Sequence, residues 1–310
     1  MNPPDSVPEG VERDHSLARL TTIRTGGAAE YFALVSSRER LEGLLRWAAE
    51  CDLEVGVVGS GSNLLVADAG VRGLVMKLDG DLARIEQEGN RLVCGGGARL
   101  PQASARAANA GLAGLEFGVN IPGTVGGAVR MNANAYGGDL ARALEWVEIT
   151  TPRGTERRAP DALGFEYRRS NLGPREVVAT ASFALAPAEP AAVKQTLAAM
   201  RDSRRAAQPS GIKTFGSTFK NPTDARAQGR TAGQLLEEAG CKGLESGGAR
   251  FSPKHANFIE NRDGGATTAD VLTLIAAGRS RVQERFGITL EPEVQLLGEA
   301  KFPFAPGDAA

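Results

Sequence analysis

The chain has little cysteine. Its 310 residues contain three, Cys51, Cys94 and Cys241, too far apart in sequence to form a zinc or iron–sulfur ligand motif. So sparse and odd a count suits a reducing cytoplasm and builds no disulfide scaffold. Charge of one sign is also missing. Lys+Arg 36 against Asp+Glu 37 leaves a net charge of -1, which removes any global electrostatic case for nucleic acid or an anionic membrane. No apolar run reaches the ~18–20 residues of a membrane-spanning helix. The opening Met1-Asn-Pro-Pro-Asp-Ser-Val-Pro8 lacks the basic and apolar regions of a signal peptide. Repeats and low-complexity stretches are absent too. The expectation is a soluble cytoplasmic protein, acting as a monomer, with no metal, nucleic-acid or membrane partner.

What is abundant is glycine: 39 of 310 residues, roughly 13% against a usual ~7%. With no repeat to absorb it, the excess belongs in turns and ligand loops. The richest stretch is Ile121-Pro-Gly-Thr-Val-Gly-Gly-Ala128, followed by Met131-Asn-Ala-Asn-Ala-Tyr-Gly137. A second patch, Gly59-Ser-Gly-Ser-Asn-Leu64, follows the apolar run Val55–Val58. Bare backbone can approach a large flat or anionic ligand, and two such patches suggest a dinucleotide. The commonest dinucleotide motif does not fit, however. Leu64 stands where the third glycine of G-x-G-x-x-G belongs, and Leu64-Leu-Val66 is strand-like where a helix should start. A Rossmann site is excluded. Small residues with the amides of Asn132 and Asn134 suit an isoalloxazine ring, whose face needs clearance and whose edge needs donors and acceptors.

Around these patches the elements do not alternate strictly, so the class is α+β. Ser36-Ser-Arg-Glu39 reads as a capping box before a helix with Leu41, Leu44, Leu45 and Ala48 on one face. Strands are expected near Val55–Val58, Leu74–Leu78, Leu92–Cys94, Leu144–Thr150 and Val177–Leu185, and a helix over Leu100–Ala110 ending at Gly111. Pro187 and Pro190 precede a further helix over about 191–207. Then come a short helix over Thr231–Ala239, a strand-like His255–Glu260, a helix over about Thr268–Phe286 and an extended Ile288–Leu297. Residues 1–14 and 303–310 read as frayed tails.

Taken together the motifs identify a resemblance. The chain resembles the UDP-N-acetylenolpyruvoylglucosamine reductase family, flavoenzymes of peptidoglycan precursor synthesis, from Thr22-Ile-Arg-Thr-Gly-Gly27 to Leu290-Glu-Pro-Glu-Val294. Between these lie the two glycine patches, Gly114-Leu-Glu-Phe117, Tyr167-Arg-Arg-Ser170, Gln208-Pro209, Gly216-Ser-Thr-Phe-Lys-Asn-Pro222, Ala232-Gly-Gln-Leu-Leu-Glu237 and His255-Ala-Asn-Phe258. The resemblance implies an FAD-binding domain of the vanillyl-alcohol-oxidase (PCMH) type over residues 15–190 and a smaller α+β substrate-binding domain over 191–287. It also implies a C-terminal segment, 288–302, that returns to the flavin. The stretch from Lys220 to His255 is too short for the tyrosine-bearing loop of some members, so the chain resembles the shorter variety. It departs from the usual pattern at Asn120, Asn134 and Lys213-Thr-Phe215.

The implied reaction passes hydride from NADPH to FAD and on to C3 of the enolpyruvyl group of UDP-N-acetylglucosamine enolpyruvate, with a proton added at C2. Negative charge grows on the adjacent carboxylate, so donors must already be aimed there. Arg168 matches the family's carboxylate-binding arginine, a planar fork suited to a carboxylate; without the resemblance Arg168 and Arg169 are not distinguishable. Glu293 matches a second carboxylate-polarising group, as a neutral acid favoured by burial or a neighbouring anion; Glu291 falls on the same strand face. Ser217 matches the proton donor, with Thr218 as the alternative hydroxyl. Flavin contacts are expected from Gly59, Ser60, Gly61, Ser62, Asn63, Leu64, Ile121, Pro122, Gly123, Thr124, Gly126, Gly127, Asn132, Tyr136 and Gly137. Substrate contacts are expected from Tyr167, Lys220, Asn221, Gly233 and Gln234. His255 is read as a structural hydrogen-bonder. Two other classes compete: another FAD-linked oxidase or dehydrogenase on the same flavin domain, and a non-catalytic nucleotide-sugar binding protein.

Overall fold

The computed structural model describes residues 6–209 and 211–304. The chain divides into two compact units. The first comprises the described part of Met1–His15 with Glu30–Ser60 and Arg72–Arg204. The second comprises Ser16–Ala29, Gly61–Val71 and the described part of Arg205–Ala310. The division at 204/205 falls inside a helix, later than the prolines at 187 and 190 suggest. Two short segments from the first quarter of the sequence group with the C-terminal part.

In the first unit, most of a four-stranded sheet runs in the order Val11–Ser16, Ala28–Val35, Val71–Leu78, Val55–Val57, its last pair parallel with Val55 opposite Leu74. Helix α1 (Arg38–Glu50) buries Leu41, Leu44, Leu45 and Ala48, which share a core with Tyr31, Leu74 and Met76. The capping serine is Ser37, whose hydroxyl accepts from the amide of Arg40. The box expected from Ser36 and Glu39 starts one residue too early.

A five-stranded antiparallel sheet follows the order Gly154–Arg158, Leu144–Thr151, Val177–Ala184, Arg91–Gly95, Ile85–Glu88. Against it pack α2 (Leu100–Asn109), α3 (Val125–Arg130) and α4 (Leu140–Ala143). Gly111, at φ +68°, supplies the left-handed residue after α2. Helix α5 (Pro190–Ala207) rests Val193 and Leu197 on Ala108 and Val119.

The second unit holds α6 (Ala232–Glu238), a three-stranded antiparallel sheet of Glu245–Ser246, Ala249–Phe251 and Ile259–Asn261, and α7 (Thr268–Phe286). A capping box of Thr267 and Asp270 starts α7, and Gly287 at φ +69° ends it. Its stripe of Val271, Leu274, Ile275 and Val282 is buried in the core with Phe215, Phe219, Phe251 and Val294. Ile23 and Leu65 belong to the same core, which is why 16–29 and 61–71 group here. The C-terminal segment closes it, Gln295–Leu297 pairing parallel with Leu64–Val66.

Two expectations are corrected. Residues 11–14 are strand and not frayed tail, held where Arg40 donates to the carbonyl of Glu9 at 2.9 Å and Trp47 to that of Ser6 at 3.2 Å. Phe304 likewise lies under the Arg279 guanidinium at 4.2 Å; residues 1–5 and 305–310 lie outside the described part. His255–Phe258 is a turn, with strand only from Ile259. Asn257 in that turn spends its polar groups on another segment, described below. No helix among the described residues is long and apolar enough to cross a membrane.

Candidate functional site

In the first unit the glycine patches meet. A Cβ at Gly59 would lie 2.5 Å from Oγ1 of Thr124, so only glycine lets the two loops touch. Thr124 is the N-cap of α3, its hydroxyl accepting from the amide of Gly127 at 3.3 Å. The amides of Val125 and Gly126 donate to Ala98 and Gly96 at 2.8 and 2.7 Å. A Cβ at Gly137, at φ +78°, would meet nothing within 4 Å, and one at Gly123 would touch the Ile121 side chain at 3.8 Å. Ile121 packs against the core while Pro122 is exposed.

Two side-chain polar atoms here, Ser60 Oγ and Asn132 Oδ1, are buried with no hydrogen-bond partner. A buried polar atom without a partner is costly unless a ligand or water completes it. Bare backbone beside these atoms fits an isoalloxazine and diphosphate. Among the described residues no group of three or more His, Cys, Asp or Glu could hold a metal.

A hairpin is stapled to this cradle. Glu166 and Arg169 exchange backbone bonds at 3.1 and 3.2 Å, leaving Tyr167 and Arg168 at the tip. Asn132 Nδ2 donates to the carbonyl of Glu166 at 3.1 Å, and the Ser170 hydroxyl to that of Arg130 at 2.8 Å. Arg168 has φ +58°, a left-handed conformation that costs a non-glycine residue about 1–2 kcal/mol. Its Nη1 donates to the carbonyl of Asn134 at 3.1 Å. Arg169 turns outward, 70% exposed, toward Glu166 at 3.6 Å. The tip therefore distinguishes two arginines that the sequence alone does not. Tyr136, at φ +52°, accepts from Asn120 Nδ2 at 3.0 Å. That amide also donates to the carbonyl of Met200 in α5, which ties the departing residue Asn120 to a helix.

The second unit carries the rest. Gly61, at φ +63°, has the carbonyl of Leu20 within 2.1 Å of a would-be Cβ. Its own carbonyl accepts from the Thr22 amide and hydroxyl at 3.0 and 3.1 Å. Asn63 Nδ2 donates to the carbonyl of Glu293 at 3.2 Å, and the Gln295 amide to the carbonyl of Asn63 at 3.1 Å. Ser62 approaches Gly216, whose φ is +86°; Leu64 starts the closing strand pair.

Ser217 sits on an extended segment gripped from two sides. The Thr218 amide donates to the carbonyl of Asn257 at 2.8 Å, and the Asn257 side chain bonds both the amide and the carbonyl of Phe219 at 2.9 Å. On the other side the Glu293 amide donates to the carbonyl of Thr218 at 2.9 Å, and that of Lys220 to Glu291 at 2.9 Å. Ser217 is half-buried while Thr218 is fully buried. Ser217 is the more accessible of the two, and the Thr218 Oγ1 is buried without a hydrogen-bond partner. Glu293 is half-buried, whereas Glu291 is 70% exposed and pairs with Lys220 at 2.6 Å.

Asn221 Oδ1 accepts from the amide of Ala232, and Gln234 completes a capping box with Thr231. These two side chains thus hold the start of α6. Gly233 is needed there because a Cβ would lie 2.6 Å from the His255 ring. His255 Nδ1 accepts from the Asn257 amide at 3.2 Å, and burial holds its pKa below the usual value. It is a structural acceptor.

Two contributors escaped the motif reading. Asn257 lies inside a quoted motif, but its grip on Phe219 is a long-range contact with no local signature. Lys77, in a strand, donates to the carbonyl of Gly59 at 2.7 Å. Alternating burial would place it but not reveal its partner.

The family model for the UDP-N-acetylenolpyruvoylglucosamine reductase C-terminal domain matches residues 208–297, and that for an FAD binding domain matches 29–159. UDP-N-acetylenolpyruvoylglucosamine reductase 2 of Symbiobacterium thermophilum is 45% identical over 293 residues, 94% of this chain and 93% of the relative. The reductase of Anaeromyxobacter dehalogenans is 44% identical over 93% of this chain and 85% of its own. The crystal structure of the Thermus caldophilus reductase superimposes with a TM-score of 0.80 at 38% identity, covering 93% of this chain and 98% of that one. The expected fold, a PCMH-type FAD-binding domain with a smaller α+β domain, is borne out. The chain belongs to the UDP-N-acetylenolpyruvoylglucosamine reductase family.

Proposed function

We propose that the protein uses FAD and NADPH to reduce the enolpyruvyl group of UDP-N-acetylglucosamine enolpyruvate, giving UDP-N-acetylmuramate for peptidoglycan precursor synthesis. The observation that carries the reading is the pairing of the Ser217 and Glu293 segments through the Glu293 amide and the Thr218 carbonyl. When bound, FAD would supply the hydride chemistry between NADPH and C3 of the substrate. The residues of this chain supply the rest. Ser217 gives a proton to C2, which a weakly acidic hydroxyl can do only when held within reach of a strongly basic carbon; its pinned backbone supplies that constraint. Glu293 and Arg168 stabilise the charge that develops on the substrate carboxylate. The strained backbone at Arg168 supports its role, since strain is retained where positioning needs it.

The glycine-lined wall of Gly59, Ser60, Gly123, Thr124, Gly126, Gly127, Asn132 and Gly137, with Ile121, Pro122 and Tyr136, would hold the flavin, and the family resemblance assigns Gly61–Leu64 to the same cofactor. Tyr167, Lys220, Asn221, Gly233 and Gln234 belong to the substrate side, the last three by shaping the start of α6. The protein acts on these small molecules as a cytoplasmic monomer without nucleic acid or membrane partners, in keeping with its charge balance and free thiols.

The test is anaerobic and optical. NADPH is expected to bleach the flavin, and the UDP-sugar, not dioxygen, to restore it rapidly. Ser217→Ala should leave the bleaching rate unchanged and slow the restoration by about 10²-fold or more. Wild-type restoration in that variant would remove Ser217 from the reaction.

A further inference from the structure

Lys77 and Arg99 stand at the junction of the two glycine loops. The Lys77 ammonium is half-buried and spends a proton on the carbonyl of Gly59. Arg99 precedes α2 and forms an antiparallel bridge with Thr124, the residue that Gly59 abuts. Neither cation forms an ion pair among the described residues. Burial and the like charge of Arg99 both push the Lys77 pKa down, and the attraction of Asp79 is the weakest of the three influences. Two cations near enough to repel, neither in an ion pair, are unfavourable in the isolated chain. The buried Ser60 hydroxyl beside them also lacks a partner. An anion with several acceptor oxygens would satisfy all three groups.

We propose that Lys77 and Arg99 form the positive side of the diphosphate site for the flavin dinucleotide, with Lys77 also fixing the Gly59–Ser60 turn. The proposal rests on the FAD reading above. Lys77 is a point charge that needs no bidentate geometry, and Arg99 adds a planar fork at the exposed edge. Backbone amides of the glycine loops give shape, and the two cations give charge.

The test follows release of FAD from purified holoprotein by recovery of flavin fluorescence on dilution, across a range of KCl concentrations. Lys77→Gln keeps a donor for the Gly59 carbonyl and removes the charge; Lys77→Met removes both; Lys77→Arg restores the charge. The glutamine variant is expected to bind FAD about tenfold more weakly with a shallower salt dependence. The methionine variant should be weaker still, and the arginine variant close to wild type. Arg99→Gln, at an exposed position, should flatten the salt dependence without altering folding. If Lys77→Gln and Arg99→Gln bind FAD as the wild type does with an unchanged salt slope, the charge role is wrong. Loss confined to Lys77→Met would also overturn it, reducing Lys77 to a prop for the turn. A wild-type protein that holds no FAD would instead sink the underlying functional reading.

Discussion

The backbone amide of Glu293 donates to the carbonyl oxygen of Thr218 at 2.9 Å, so the segments that carry Ser217 and Glu293 touch. A single bond of this kind would not fix Ser217. The opposite edge of its segment is held by Asn257, whose side chain closes a pair of bonds on Phe219. The serine is therefore placed by main-chain geometry, and its own side chain remains available.

Asn257→Ala tests that arrangement. It leaves the buried amide and carbonyl of Phe219 without partners, at an expected loss of about 2–4 kcal/mol in stability. Urea denaturation measures this. The remaining folded protein should reduce its flavin with NADPH normally and turn over the UDP-sugar slowly, because only the Ser217 segment has loosened. Equal loss in both half-reactions would mean that Asn257 supports the whole unit and not this segment.

Gly59 and Gly61 belong to one motif but resist substitution for different reasons. At Gly59 the obstacle is the side chain of Thr124, which can be trimmed. At Gly61 it is the backbone of Leu20 and Thr21, at φ +63°, which cannot. Gly59→Ala should lose bound FAD, and Thr124→Ala should restore part of it despite an N-cap loss of about 1 kcal/mol. Gly61→Ala should destabilise by at least ~2 kcal/mol whatever is done at Thr124. Flavin content and thermal melting read the two effects. Equal rescue of both by Thr124→Ala would refute the distinction.

Much of this was legible in the sequence because its signals are local. The stripe of α7, the left-handed glycine after α2 and the failure of the Rossmann pattern at Leu64 all follow from spacing within one element. The capping pattern pointed to Ser36, and the neighbouring Ser37 takes the cap, because the two lie within a residue of each other. The expected strand at His255 failed for another reason: Asn257 bonds to a segment far away in sequence, and that demand overrides local propensity. Lys77 was missed on the same grounds. The resemblance selected Arg168 over Arg169, whereas their different environments, one half-buried and one 70% exposed, come from the hairpin.

That hairpin yields a further test. Arg168→Asn places at φ +58° a residue that tolerates the left-handed region. The relief of about 1 kcal/mol should roughly offset the lost contacts to Asn134 and Tyr167, so the melting temperature should change little. Turnover should nevertheless fall about 10²-fold or more through loss of a charge-assisted carboxylate contact, with flavin reduction by NADPH preserved. Activity near wild type would exclude Arg168 from carboxylate binding.

Cysteine reactivity separates the three thiols by burial. Burial pushes the Cys94 thiol up to about 12 and raises that of Cys241 as well, whereas Cys51 is only partly buried. Thiolate is the reactive form. A disulfide reagent at pH 8 should label Cys51 alone in the folded protein and all three in denaturant. Fast labelling of Cys94 would contradict its place in the core.

His255 gives the pH dependence its sign. Its pKa is lowered from 6.5, chiefly by burial, and its Nδ1 is occupied as an acceptor from the Asn257 amide. Below pH ~6.5 the unfolded chain gains a proton that the folded protein still refuses. Folding stability from this group is therefore full above 6.5 and falls as pH drops toward the folded pKa. His255→Gln keeps a side-chain acceptor and has no such titration. Its melting temperature should lie below wild type at pH 7.5 and close the gap by pH 5.5. Because the Nδ1 of His255 is occupied in the turn that carries Asn257, the pH profile of kcat should keep its shape in the variant. Loss of a limb of that profile would make His255 a participant in proton transfer.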